Sequence, residues 1–129
     1  MPLEASAAAE TLVLFSDGTG NSSAKLFKTN VWRMYQAVDL GPTRDGEPIQ
    51  VAYYDNGIGT QSIKALALLA GIFGIGLKAN VLRLYRFACR NGTGDCQFFC
   101  FGFSRGAFTI RLVAAMLAQY GLVQYGSEA

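Results

Sequence analysis

The chain has 129 residues, 51% of them hydrophobic and 16% charged, with a formal net charge of +2 and 15 glycines. That composition is too apolar for a disordered chain, and the length suits one domain able to bury a core. Its few basic residues are scattered, which excludes the massed Lys/Arg face of a nucleic-acid-binding protein.

The first ten residues (MPLEASAAAE) lack the basic and apolar regions of a secretory signal and read as a disordered leader, placing the chain in the cytoplasm at synthesis. Thr11–Ser16 (TLVLFS) is a β-branched and apolar run, read as a first strand. A turn-rich DGTGNS follows. Thr29 or Asn30 can cap a helix whose apolar positions Val31, Met34, Tyr35 and Val38 recur at i, i+3, i+4 and i+7. Leu40–Pro48 is a loop dense in breakers. Ile49–Tyr54 (IQVAYY) reads as a second strand, closed by the glycine-rich turn DNGIGT.

Ala65–Leu77 is an uncharged apolar run between Lys64 and Lys78. It is shorter than the roughly 20 residues of a spanning helix, so no transmembrane span is expected and it is read as a buried segment, with a membrane-docking or lid-like surface as the alternative. Lys78–Arg90 carries the helical stripe Val81, Leu84, Tyr85 and Ala88, ended by Asn91-Gly92. Gln97–Phe101 (QFFCF) is charge-free and is read as a central strand buried on both faces. A last helix from Arg105 shows Thr109, Leu112, Val113, Met116, Leu117 and Tyr120 at helical spacing, with Gly121 as its stop. The three cysteines, Cys89, Cys96 and Cys100, fit neither a disulfide framework nor a zinc site and are expected to be reduced, mostly buried thiols. No metal and no cofactor is called for.

Three strand–helix pairs in alternation imply an α/β fold with a parallel sheet and right-handed crossovers; the strand order expected is 2-1-3, with helices on both faces. That order places the turns after the first and third strands side by side, at a switch point.

The chemistry sits in Gly102-Phe103-Ser104-Arg105-Gly106, a G-x-S-x-G pattern. In a nucleophile elbow a serine occupies a sharp strand-to-helix turn, and glycines two residues to either side avoid collision with strand and helix. QFFCF before it and an amphipathic helix after it are the surroundings the pattern requires. The backbone N–H of Arg105 would face an oxyanion, supported by the helix dipole. Bare amides at Gly18 and Thr19, in the glycine-rich turn after the first strand, are the natural second donors. Asp17 and Asp55 stand at strand ends facing the crevice, as supporting acids that orient a loop or cap a turn.

Five blocks, FSDGTGNS, TNVWRMYQAV, VAYYDNGIGT, GIGLKANVLRLYRF and FCFGFSRGAFTIR, together resemble, in this order over about residues 11–122, the α/β-hydrolase domain family that includes the phospholipase effectors of type VI secretion. The resemblance implies a three-layer partial α/β-hydrolase, with residues 11–129 forming the N-terminal, nucleophile-bearing part of an incomplete domain. It implies Ser104 as the nucleophile of ester hydrolysis, on phospholipid acyl esters in part of the family, and export by a non-Sec route for an effector-like protein. Family members complete a Ser–Asp–His triad with residues after the elbow, whereas these 129 residues contain no histidine. The isolated chain is therefore expected to show little turnover. Two other readings stand beside this one. The first is a non-catalytic fragment or pseudo-enzyme that associates with itself or with a missing C-terminal segment. The second is a nucleotide-cofactor module built on Gly74-Ile75-Gly76-Leu77-Lys78-Ala79, which fits G-x-G-x-x-A.

Overall fold

A computed structural model describes residues 10–18, 28–41, 50–56 and 73–123. It contains β1 (Thr11–Ser16), α1 (Asn30–Ala37), β2 (Gln50–Asp55), α2 (Phe73–Asn91), β3 (Gln97–Gly102) and α3 (Arg105–Tyr120). The sheet is parallel in the order β2-β1-β3. Thr11 is level with Gln50 and Gln97, and Ser16 with Asp55 and Gly102, so all three strands end together.

The middle strand carries the core. Side chains alternate across a strand, and Leu14 packs with Val81, Leu84, Ala88, Ile110 and Val113 on the α2/α3 face. Val13 and Phe15 pack with Val31 on the α1 face. Leu12, Leu14 and Phe15 are fully buried; each such side chain contributes about 1.5–3 kcal/mol relative to exposure. Phe15 stacks on Phe101 at 5.3 Å and meets the Tyr35 ring edge-on at 5.6 Å. One crossover helix therefore lies on each face, as the alternation of elements predicts.

The helix boundaries follow local chemistry. The Thr29 hydroxyl accepts the Trp32 N–H at 3.2 Å and caps α1. In α2 the residues Val81, Leu84, Tyr85 and Ala88 are all buried, and the helix begins at Phe73, earlier than its periodicity suggests. Gly121 ends α3 in left-handed backbone geometry (φ 65°), where its carbonyl accepts the Tyr85 hydroxyl at 2.8 Å and ties α3 to α2. No helix among the described residues is long and apolar enough to cross a membrane.

Three expectations need correction. QFFCF is not a central strand: β3 flanks β1 on one side only within the described sheet, and Phe99 is 49% exposed. The enclosed strand is TLVLFS, because β2 and β3 pair with its two edges. Met34, Leu112 and Tyr120 match the helical stripes in spacing yet are exposed, since each lies at the margin of its packed face. The three cysteines are free but only partly buried; burial nonetheless raises the Cys96 and Cys100 thiols above the ordinary cysteine value. Of the apolar run at Ala65–Leu77, only the first turns of α2 fall within the described residues.

Candidate active site

Two residues, Phe103 and Ser104, turn the chain from β3 into α3. Ser104 has φ 54° and ψ −122°, and it is the one non-glycine with positive φ among the described residues. Such a backbone costs on the order of 1–3 kcal/mol and persists only where its surroundings enforce it. Here Phe103 N–H donates to the Ser16 carbonyl at 3.1 Å, Gly106 N–H to the Phe103 carbonyl at 2.8 Å, and Ala107 N–H to the Ser104 carbonyl at 3.0 Å. Ser104 is exposed, and its hydroxyl makes no capping bond to α3.

The glycines on either side are required by contact. A β-carbon on Gly102 would stand 2.5 Å from the Gly106 carbonyl oxygen and 2.7 Å from Ala107 Cα. One on Gly106 would overlap the Ser16 carbonyl and lie 2.6 Å from the Asp17 oxygen. The turn after β1 and the turn after β3 are thus in direct backbone contact, as the strand order implies. The Arg105 amide lies in the first turn of α3, where helix N–H groups and the dipole favour negative charge.

Of the glycine-rich turn after β1, Asp17 and Gly18 are described, and Thr19 lies outside the described residues. Gly18 N–H donates to Asp17 Oδ1 at 2.9 Å, so this amide is engaged by its neighbour instead of pointing bare into the crevice. Asp17 is only 1% exposed. Its Oδ2 accepts the Thr29 hydroxyl at 2.6 Å and the Tyr54 hydroxyl at 2.5 Å. Burial, the hydrogen bond to Asp17 and the charges of Asp17 and Asp55 push the Tyr54 phenol well above its ordinary range. Asp55, also buried, accepts the Asp17 N–H on its backbone oxygen at 3.0 Å, and its Oδ2 lies 3.7 Å from Arg83.

Tyr54 and Thr29 are the site residues that sequence reasoning missed as partners of Asp17. A weak signal existed for Tyr54. It pairs in register with Phe15, and Asp17 follows Phe15 by two, so strand alternation sets all three on one face.

Beside the turn, an apolar cleft of about 440 Å³ is lined by Val31, Met34, Phe101 and Phe103, with Lys28 and Asn30 at its edge. A second cleft of about 490 Å³ shares Met34 and Phe101 and continues past Phe99. Phe103 is 51% exposed. Gly74 and Gly76 of the G-x-G-x-x-A stretch lie within α2, not in a loop preceding it, and the strand such a motif needs at Ala65–Ala70 is outside the described residues. No group of three or more potential metal ligands occurs among the described residues.

Comparison with known proteins adds two findings. Residues 10–129 match the family model described as T6SS phospholipase effector Tle1-like, catalytic domain. An uncharacterized protein of Saccharomyces cerevisiae, YEL023C, is 27% identical over 140 aligned positions, which cover 98% of this chain and 20% of the yeast protein. The chain thus spans about a fifth of that relative's length. No solved structure matches it significantly.

Proposed function

From the premise that the chain belongs to the Tle1-like phospholipase effector catalytic-domain family of type VI secretion, we propose that it carries the nucleophile of a lipase-like serine ester hydrolase. Ser104 is that nucleophile, and acyl esters of lipids are the substrate class. The single observation that carries the reading is the Ser104 backbone, held at φ 54° between two glycines that tolerate no β-carbon. A glycine-rich turn with an incidental serine would have no reason to keep a side chain in that conformation.

In this reading Ser104 Oγ attacks the ester carbonyl carbon while its proton passes to a base. The carbonyl oxygen becomes an oxyanion beside the Arg105 amide; as it collapses, the bond to the ester oxygen breaks, the base returns the proton to the leaving alcohol, and the acyl–serine ester forms. Gly18 is a poor second donor while its amide is held by Asp17; Thr19 remains the candidate. The 129 residues offer no histidine as base, and an unassisted serine hydroxyl is a weak nucleophile at neutral pH. The isolated chain is therefore expected to turn over esters slowly or not at all.

The test is a fluorophosphonate probe followed by peptide mapping. Labelling confined to Ser104 and lost in Ser104→Ala supports the reading. Labelling that persists in Ser104→Ala would sink it, whereas a folded chain that stays unlabelled at millimolar probe marks an incomplete site without its base. That result would favour the second reading, a non-catalytic module, which the half-exposed Phe99 and Phe103 also suit.

A further inference from the structure

We infer that Asp17 is a positioning residue whose buried carboxylate fixes the end of β1 and, through it, the seat of the Ser104 turn. The inference rests on the reading of Ser104 as nucleophile for its functional meaning, though its structural content can be tested separately.

An aspartate that only capped its own turn would need the Gly18 N–H and nothing more. Asp17 takes that bond and two others, from Thr29 and Tyr54, which are 12 and 37 positions away in the chain. Thr29 is at the same time the cap of α1, because its hydroxyl oxygen accepts the Trp32 N–H while its proton goes to Asp17. The Asp17 N–H meets the last residue of β2 through the Asp55 carbonyl. One side chain and one amide thus tie together the ends of β1 and β2 and the start of α1.

The link to Ser104 is backbone on backbone. The Ser16 carbonyl accepts the Phe103 N–H, and the carbonyls of Ser16 and Asp17 form the floor on which Gly106 packs without room for a methyl group. A shift of the Ser16–Asp17 peptide of a few tenths of an ångström would be passed directly to both flanks of Ser104. Two acceptor oxygens are required as well as shape. Both Thr29 and Tyr54 donate to Oδ2, and an amide nitrogen in that place has no lone pair to receive them. If the amide turned over, its nitrogen would instead face the Gly18 N–H.

The experiment compares the whole chain with Asp17→Asn and with Val81→Ala, a core change in α2 that lowers stability without touching the network. Amide hydrogen exchange is followed by mass spectrometry, alongside the rate of fluorophosphonate labelling. Asp17→Asn is expected to speed exchange in peptides covering 12–18 and 100–108 together. It is also expected to slow labelling of Ser104 by about ten- to a hundredfold, the usual consequence of a small misplacement. Val81→Ala is expected to leave the labelling rate of the folded fraction unchanged. If exchange in Asp17→Asn rises only around 12–18 and 50–55 while 100–108 keeps its protection, the positioning role is overturned. If exchange spreads to 100–108 but even the parent chain is never labelled, the coupling stands and Ser104 lacks the base that would activate it.

Discussion

Gly106 is seated on the carbonyl of Ser16, so close that even one added carbon would occupy the space of that oxygen. Both partners are backbone, in a strand and a helix that are each pinned by other contacts, so neither can yield cheaply. Gly106→Ala is expected to destabilise the chain by about 3 kcal/mol or more, at the upper end of overpacking substitutions. Urea denaturation of the two proteins measures it. A loss below the scatter of ordinary surface changes would show that the turn can move.

The strain at Ser104 gives a prediction of opposite sign. Glycine accepts φ 54° and ψ −122° without the clash that any β-carbon brings. Ser104→Gly is expected to raise stability by about 1–2 kcal/mol over Ser104→Ala, with both unreactive toward the probe. Equal unfolding midpoints for the two variants would mean that the backbone there is relaxed.

The phenol of Tyr54 gives a pH dependence. Its titration is displaced upward in the folded chain, first by burial and then by Asp17. Between the ordinary tyrosine value, near 10, and the higher folded value, the unfolded chain holds fewer protons than the folded one. Stability from this group is therefore fully present below about pH 10 and declines as pH rises through that window. Tyr54→Phe is expected to cost about 1–3 kcal/mol at pH 8, the loss of a hydrogen bond to a buried carboxylate. The deficit is expected to shrink above pH 10, as read from parallel denaturation curves.

Phe99 carries a prediction about association. It lies half-exposed on a strand without a charge or proline, the usual protections of a sheet edge. Phe99→Lys is expected to lower any self-association seen by light scattering, at a stability cost of about 1 kcal/mol. Unchanged association would place the contact elsewhere on the surface.

Much of the architecture was legible because it rests on local signals. The spacing of Val81, Leu84, Tyr85 and Ala88 picked out the buried face of α2, and the glycines around Ser104 picked out its turn. The parallel sheet followed from the alternation of elements, and the assumed order 2-1-3, which the sheet adopts, brings the two glycine-rich turns together. What could not be read was set by long-range neighbours. QFFCF looks the same whether one or two strands flank it, so periodicity alone cannot report that Phe99 meets solvent. The role of Asp17 depends on Tyr54 and Thr29, which approach it only after β2 and α1 have packed. The state of the Gly18 amide was hidden for the same reason, because a glycine supplies the freedom to point an N–H but not the acceptor that captures it.

The position of β1 also has a consequence during synthesis. The strand that is buried most deeply leaves the ribosome before either of its neighbours in the described sheet. Until β2 arrives neither of its hydrogen-bonding edges has a native partner, and until β3 arrives one edge still lacks it. The nascent chain must carry this sticky segment until β3 has emerged, so chaperones that shield short apolar stretches should bind it early and release it once the sheet closes.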